Sequence, residues 1–139
     1  MSIVGFVRIE SAAAGVIEAP ALFESFGENG LYRAVYEEVT EGMQRSTAIM
    51  ELDISGSGAP KLLMVRRGEI ESLHNFSENA ATKGYYKVAG GTLNFDIRTV
   101  NLHVRVGDHQ LQIDVEAAFL FAGQQPLSFS AHIAMNERT

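Results

Sequence analysis

The feature that most limits what this chain can fold into is a strict alternation of apolar and polar residues that slips phase once. Val100, Leu102, Val104 and Val106 alternate with Asn101, His103 and Arg105. After Gly107-Asp108 the alternation resumes, with Leu111, Ile113 and Val115 set against Gln110, Gln112 and Asp114. A period of two is the signature of a strand with one buried face. A short connection containing glycine suits a tight hairpin, because glycine reaches positive φ without steric cost. Pairing Val106 with His109 places Val104 opposite Leu111, Leu102 opposite Ile113 and Val100 opposite Val115, so apolar residues meet apolar residues.

Upstream of Val100 the phase is wrong for this pairing. Leu93, Phe95 and Ile97 fall on odd positions, whereas the partner strand keeps one phase from Leu111 through Ala117, Phe119 and Phe121. One extra residue at Arg98-Thr99 resolves the conflict and sets Ile97 opposite Ala117, Phe95 opposite Phe119 and Leu93 opposite Phe121. That predicts a β-bulge, a device that bends and twists a strand as a closing sheet requires. A third strand follows the loop Ala122 to Pro126, with Leu127, Phe129, Ala131, Ile133 and Met135 inward and Ser128, Ser130 and His132 outward.

The rest of the chain reads the same way. Strands are expected over 2–10, 31–39, 47–54, 61–67 and 82–88, with turns at Ser11 to Gly15, Glu28-Asn29-Gly30, Thr40 to Met43, Ser55 to Pro60 and Ser77 to Ala81. Val16 to Gly27 contains Pro20, which as part of a strand belongs at an edge or bulge. Ile70 to Phe76 has strand-like and helix-like spacing at once. The expected fold is all-β: one domain over 1–139, an antiparallel meander of about eight to ten strands closed into a barrel.

Composition removes several function classes. The chain has 139 residues, 46% of them hydrophobic and 20% charged, which suits a globular domain with a real core. Its net charge of −6 and 11 basic residues argue against a phosphate-backbone partner. It contains no cysteine, so disulfides, zinc-thiolate sites and thiol catalysis are absent. Arg8 and Glu10 interrupt the apolar character of the N-terminus, and no run reaches the length of a membrane helix. A cytoplasmic location is expected, with no membrane or nucleic-acid partner.

Several segments carry a resemblance. Leu31-Tyr32-Arg33-Ala34-Val35-Tyr36-Glu37-Glu38, Met64-Val65-Arg66-Arg67-Gly68, Phe76, Gly84-Tyr85-Tyr86 and Thr99 follow one another in an order that resembles the bacterial YwiB-like family of calycin-type β-barrels. The resemblance runs from about Phe26 to Glu137 and is most specific in Tyr-x-x-x-Tyr-Glu-Glu. It implies a lipocalin-like barrel and no assigned activity. It draws attention to Tyr36, Glu37, Glu38, Arg66, Gly68 and Thr99.

Candidate chemistry is sparse. Glu37 and Glu38 are neighbours on a strand and point to opposite faces, so they cannot share a proton as a catalytic dyad would. One is expected inside and the other in solvent. Arg66 shares a largely apolar face with Leu62 and Met64, where a charge must be paired or bind an anion. Of the histidines, His109 falls in a turn and His103 and His132 on the outer face, with His132 across from Glu116. Ser128, Ser130 and His132 lack the sharp elbow of a catalytic triad, and Gly56-Ser57-Gly58 has no helix behind it to hold phosphate.

These residues lead to a non-enzymatic barrel with no cofactor and no metal, holding a small apolar or amphipathic molecule. Its expected walls are Met50, Leu52, Phe95, Phe119 and Phe129, with polar contacts from Glu37 and Arg66. Tyr36 and Thr99 complete the expected site. The rival expectation is an interaction module, a homodimer formed through the outer face around Ala118 and Leu120.

Overall fold

A computed structural model describes residues 3–12, 15–39, 45–56, 58–78 and 80–138. The strands are β1 (Ile3–Ser11), β2 (Gly15–Phe26), β3 (Leu31–Val39), β4 (Arg45–Asp53), β5 (Lys61–Gly68), β6 (Glu71–Ser77), β7 (Thr82–Val88), β8 (Gly91–Gly107), β9 (Gln110–Leu120) and β10 (Leu127–Glu137). Each pairs antiparallel with the next, and β1 pairs with β10, so the meander closes into a barrel. Closure removes the exposed edges that an open sheet of this size would present. A single 3-10 turn, Glu28–Gly30, is the one helical element among the described residues. Ile70 to Phe76, ambiguous by spacing, is strand over Glu71–Ser77. The turn expected at Thr40 to Met43 lies outside the described residues, as do Ser57 and Asn79 of two further expected loops.

The phase slip is a bulge, though one step later than expected. In the β8–β9 ladder Thr99 pairs with Ala117 and Asn101 with Glu116, leaving Val100 as the extra residue. The expected pairings are therefore each displaced by two: Val106 faces Leu111, Val104 faces Ile113, Leu102 faces Val115 and Ile97 faces Phe119. The reason lies in the turn. Its central residues are Asp108 and His109, not Gly107 and Asp108, because Gly107 still pairs with Gln110 and His109 takes φ of 59°. The β9–β10 ladder is also offset by two from expectation, which puts His132 opposite Asp114, not Glu116, with Nδ1 at 2.6 Å from the carboxylate.

Pro20 sits where β2 has a single neighbour. It pairs with Phe6 on β1, whereas β3 joins β2 only from Ala21 onward. A residue without an N–H is tolerated there because no second ladder needs it. The consequence is a parting between the start of β2 and the end of β3 at one mouth of the barrel.

The interior is packed solid over most of its length. Phe23, Met50, Leu52, Leu62, Ile113 and Ile133 are completely buried. Phe26 caps this region with edge-on contacts to Phe23 and Tyr32, at ring centroid separations of 5.0 and 5.2 Å. Toward the opposite mouth, where β1 turns into β2 and β9 into β10, the filling becomes aromatic and polar. No helix among the described residues is long and apolar enough to cross a membrane.

Candidate binding site at one mouth of the barrel

Alternation along β3 sends Tyr32, Ala34, Tyr36 and Glu38 inward. Glu38 is 3% exposed, so a carboxylate is taken out of water at the barrel mouth. The cost of that burial is large unless the charge is paired. The partner is Arg66 on β5, whose Nε donates to Glu38 Oε2 at 3.0 Å. Arg66 Nη1 reaches the hydroxyl of the fully buried Ser72 on β6 at 3.4 Å. Tyr36 lies beside this pair, and burial, reinforced by the Glu38 charge, pushes its phenol well above the ordinary tyrosine range.

The next strands add a second polar pair. His74 on β6 shares a hydrogen bond of 2.9 Å between its Nε2 and the Tyr86 hydroxyl. Burial, with a smaller contribution from the Arg66 charge, lowers the His74 pKa to about 4, so the ring is neutral at pH 7. It is walled in by rings: Phe95 at 5.5 Å, Phe119 at 5.3 Å and Tyr86 at 5.0 Å between centroids. Phe129 stacks on Phe119 at 5.1 Å and on Phe76 at 5.7 Å. Among the described residues, His74 Nδ1 and Ser46 Oγ are buried polar atoms without a hydrogen-bond partner. His74 belongs to this cluster, and Ser46 stands opposite Glu38 on the β3–β4 ladder. Buried polar atoms are nearly always satisfied, so each of these orphans calls for a reason.

These groups surround a cavity of about 360 Å³. Ile9 and Ile17 line it from β1 and β2, Met64 from β5, and Phe119 and Phe129 from β9 and β10. Glu38, Arg66, His74 and Tyr86 supply the polar side. Ile17 and Glu38 come from the two strand ends that do not pair, so the parting at Pro20 borders the cavity.

The residues singled out in the sequence are divided by the structure. Arg66, Phe119 and Phe129 line the cavity. Glu37, expected as a polar contact, points out to solvent and accepts a hydrogen bond of 2.9 Å from Thr47 Oγ1; the interior carboxylate is Glu38. Met50 and Leu52, expected as walls, are buried in the solid part of the barrel. Phe95 stands behind His74, its ring against Gly84, where a Cβ would come within 2.7 Å of it. Thr99 accepts a hydrogen bond from the Ser77 backbone N–H at 3.1 Å and joins β8 to β6. Tyr36 backs the ion pair without lining the cavity. His74, Tyr86 and Ser72 were not anticipated; the signal was present in the common parity of Ser72, His74 and Phe76, hidden by the ambiguous spacing of that segment. Among the described residues no three His, Asp or Glu side chains gather where they could hold a metal ion.

A family model described as "Domain of unknown function (DUF1934)" matches residues 17–133. The chain belongs to the DUF1934 family. The family match takes in nearly every cavity residue from Ile17 to Phe129, leaving only Ile9 and Ser11 on β1 outside. Among solved structures, the YwiB protein from Bacillus subtilis superimposes with a TM-score of 0.68 over 99% of this chain and 92% of that one. The two are 16% identical, so the likeness is one of fold, and it covers the whole closed barrel. No curated protein matches the chain.

Proposed function

We propose that this protein is a binding barrel that takes a small, uncharged, amphipathic molecule with a flat ring into the cavity at the Glu38–Arg66 mouth. The observation that carries the reading is the buried, unpartnered His74 Nδ1 on a residue that lines a cavity walled mostly by rings and aliphatic side chains. Sites for small molecules have this make-up, with apolar walls and a few fixed polar groups. The volume suits a ligand at the small end of the range for such pockets.

The charge balance supports an uncharged ligand. Glu38 and Arg66 offset one another, and His74 is neutral. Arg66 already gives Nε to Glu38 and Nη1 to Ser72 and has its charge balanced by Glu38, so it is a weaker carboxylate receptor than a free arginine. An anion entering here would find the Arg66 charge already balanced by Glu38 and, among the described residues lining the cavity, no further cation to offset its own. A hydroxyl or amide can instead satisfy the neutral His74 ring while its apolar part stacks on Phe119 and Phe129. Within this reading the site holds its ligand and performs no chemistry on it.

The chain has no tryptophan, so a naphthalene probe can be followed by its own fluorescence without a protein background at its wavelengths. 2-Naphthalenemethanol should bind saturably, and 2-naphthoate, the same ring with a negative charge, at least about tenfold more weakly, since burying an unpaired charge costs more than about 1.4 kcal/mol. Leu127→Arg, which puts a longer, charged side chain at an exposed position of the cavity rim and adds no fluorophore, should weaken the alcohol. If neither probe binds, the cavity reading falls. If the naphthoate binds more tightly, the cavity stands and the uncharged class is wrong.

A further inference from the structure

The outer wall carries a feature that the cavity does not use. Leu22, Val35, Ile49, Val65, Leu73 and Tyr85 are direct cross-strand partners, each of the next, from β2 to β7. All point outward; Leu22 is 42% exposed and the rest are half-buried. An alternating barrel strand puts polar residues on this face, and β3, β4, β6 and β7 obey that rule on either side of the row, whereas β2 has Pro20 and β5 has Leu63 on one side. The outer residues suggested by sequence for a contact, Ala118 and Leu120, lie on the far wall, half-buried and flanked by Arg98 and Asp96. A continuous apolar row on a soluble wall marks an interaction surface.

The charges beside the row say what kind of partner fits. Two residues along each strand from the row, β2 to β4 carry Glu24, Glu37 and Glu51 against Arg33, a net −2. By the same count β5 to β7 carry Arg67, Lys83 and Lys87 against Glu71, a net +2. The face is thus apolar along its middle, acidic at one end and basic at the other. Such a face is complementary to itself turned end for end.

We infer that this face is the interface of a homodimer, with a two-fold axis running along the strands near β4 and β5. That axis reverses the row, laying the acidic half of one protomer over the basic half of its partner. A two-fold axis along the row itself would set acid on acid and is disfavoured. The wall is convex, so the centre of the row, Val35, Ile49, Val65 and Leu73, forms the dry contact, and the charged flanks form the rim.

The test is the mass of the full chain by sedimentation equilibrium, with unfolding in urea as a fold control. The wild type should reach twice 15.2 kDa as concentration rises. Val65→Lys should hold the chain at the single mass. Reversing exposed charges does not threaten the fold: Arg67→Glu with Lys87→Glu should raise the dissociation constant at least about tenfold, as mismatched rim charges do. Adding Glu37→Lys, which lies on the same side of the row as Arg67 and Lys87, to that variant should restore the affinity. A wild type that stays at 15.2 kDa overturns the dimer. A dimer that survives Val65→Lys overturns this face. A dimer lost on Val65→Lys but indifferent to the charge reversals overturns the proposed axis.

Discussion

Glu38 Oε2 lies 3.0 Å from Arg66 Nε, across 28 residues of chain, with the carboxylate side chain 2% exposed and the guanidinium 18%. This contact ties the end of β3 to β5 past the intervening strand β4. Its energetics are lopsided. A buried ion pair adds little to stability over an apolar pair of the same shape, but losing one member leaves a charge in a place water does not reach.

Arg66→Met should therefore destabilise the barrel by about 3–5 kcal/mol, the usual cost of stranding a buried charge. Glu38→Leu added to Arg66→Met should recover most of that loss. Urea unfolding at pH 7 measures both. A single variant within about 1 kcal/mol of wild type would mean that Glu38 keeps access to water.

His74 gives the fold an acid sensitivity of predictable sign. Its pKa is near 4 in the folded chain against 6.5 for the free group, chiefly through burial. Between those values the unfolded chain binds the extra proton and the folded chain does not, so stability falls as pH drops. The loss begins as pH falls through 6.5 and is complete below about 4, amounting to roughly 3 kcal/mol. His74→Phe should flatten this part of the stability–pH curve. An equally steep curve in the variant would assign the acid sensitivity elsewhere.

How far the chain could be read beforehand follows from which residues carry redundant signals. The hairpins of β8, β9 and β10 were legible because each strand alternates over many residues and the phase slip has one economical remedy. The register was not, because Val100 is apolar and looked like an inward residue when it is the bulge, and because His109, without glycine's freedom, takes the turn's positive φ. Parity along β3 made one of Glu37 and Glu38 interior, and only the count from Tyr32 and Tyr36 says which. The cavity was not legible at all. It depends on where β2 and β3 part, which is a relation between strands, not a pattern within either.

The seam that closes the barrel can be probed at Gly5, which pairs with Glu137 on β10 and stands against Phe23 inside. A Cβ built there would lie 2.0 Å from the Asn136 carbonyl oxygen and 2.6 Å from the Phe23 ring. The first is backbone and cannot swing aside. Gly5→Ala should destabilise the protein by about 3 kcal/mol or more, in the upper range for overpacking. Gly58→Ala, with open space around its Cβ, should stay within about 0.5 kcal/mol of wild type. A tolerated alanine at position 5 would mean that β1 and β10 are further apart than the closed ladder requires.

The bulge itself offers the sharpest test of the fold, since two registers make opposite demands on one side chain. If Val100 continued the inward set of Leu102 and Val104, a lysine there would bury a charge and cost several kcal/mol. As the extra residue between Thr99 and Asn101 it is 64% exposed, and the ladder passes it by. Val100→Lys should then change stability by no more than about 0.5 kcal/mol, as for an ordinary surface site. Leu102→Lys, two residues on and 3% exposed, should unfold the chain or nearly so. Thermal and urea midpoints of the two variants, taken together, separate the registers: a severe loss at position 100 would return Val100 to the inward set and move the bulge back to Arg98-Thr99.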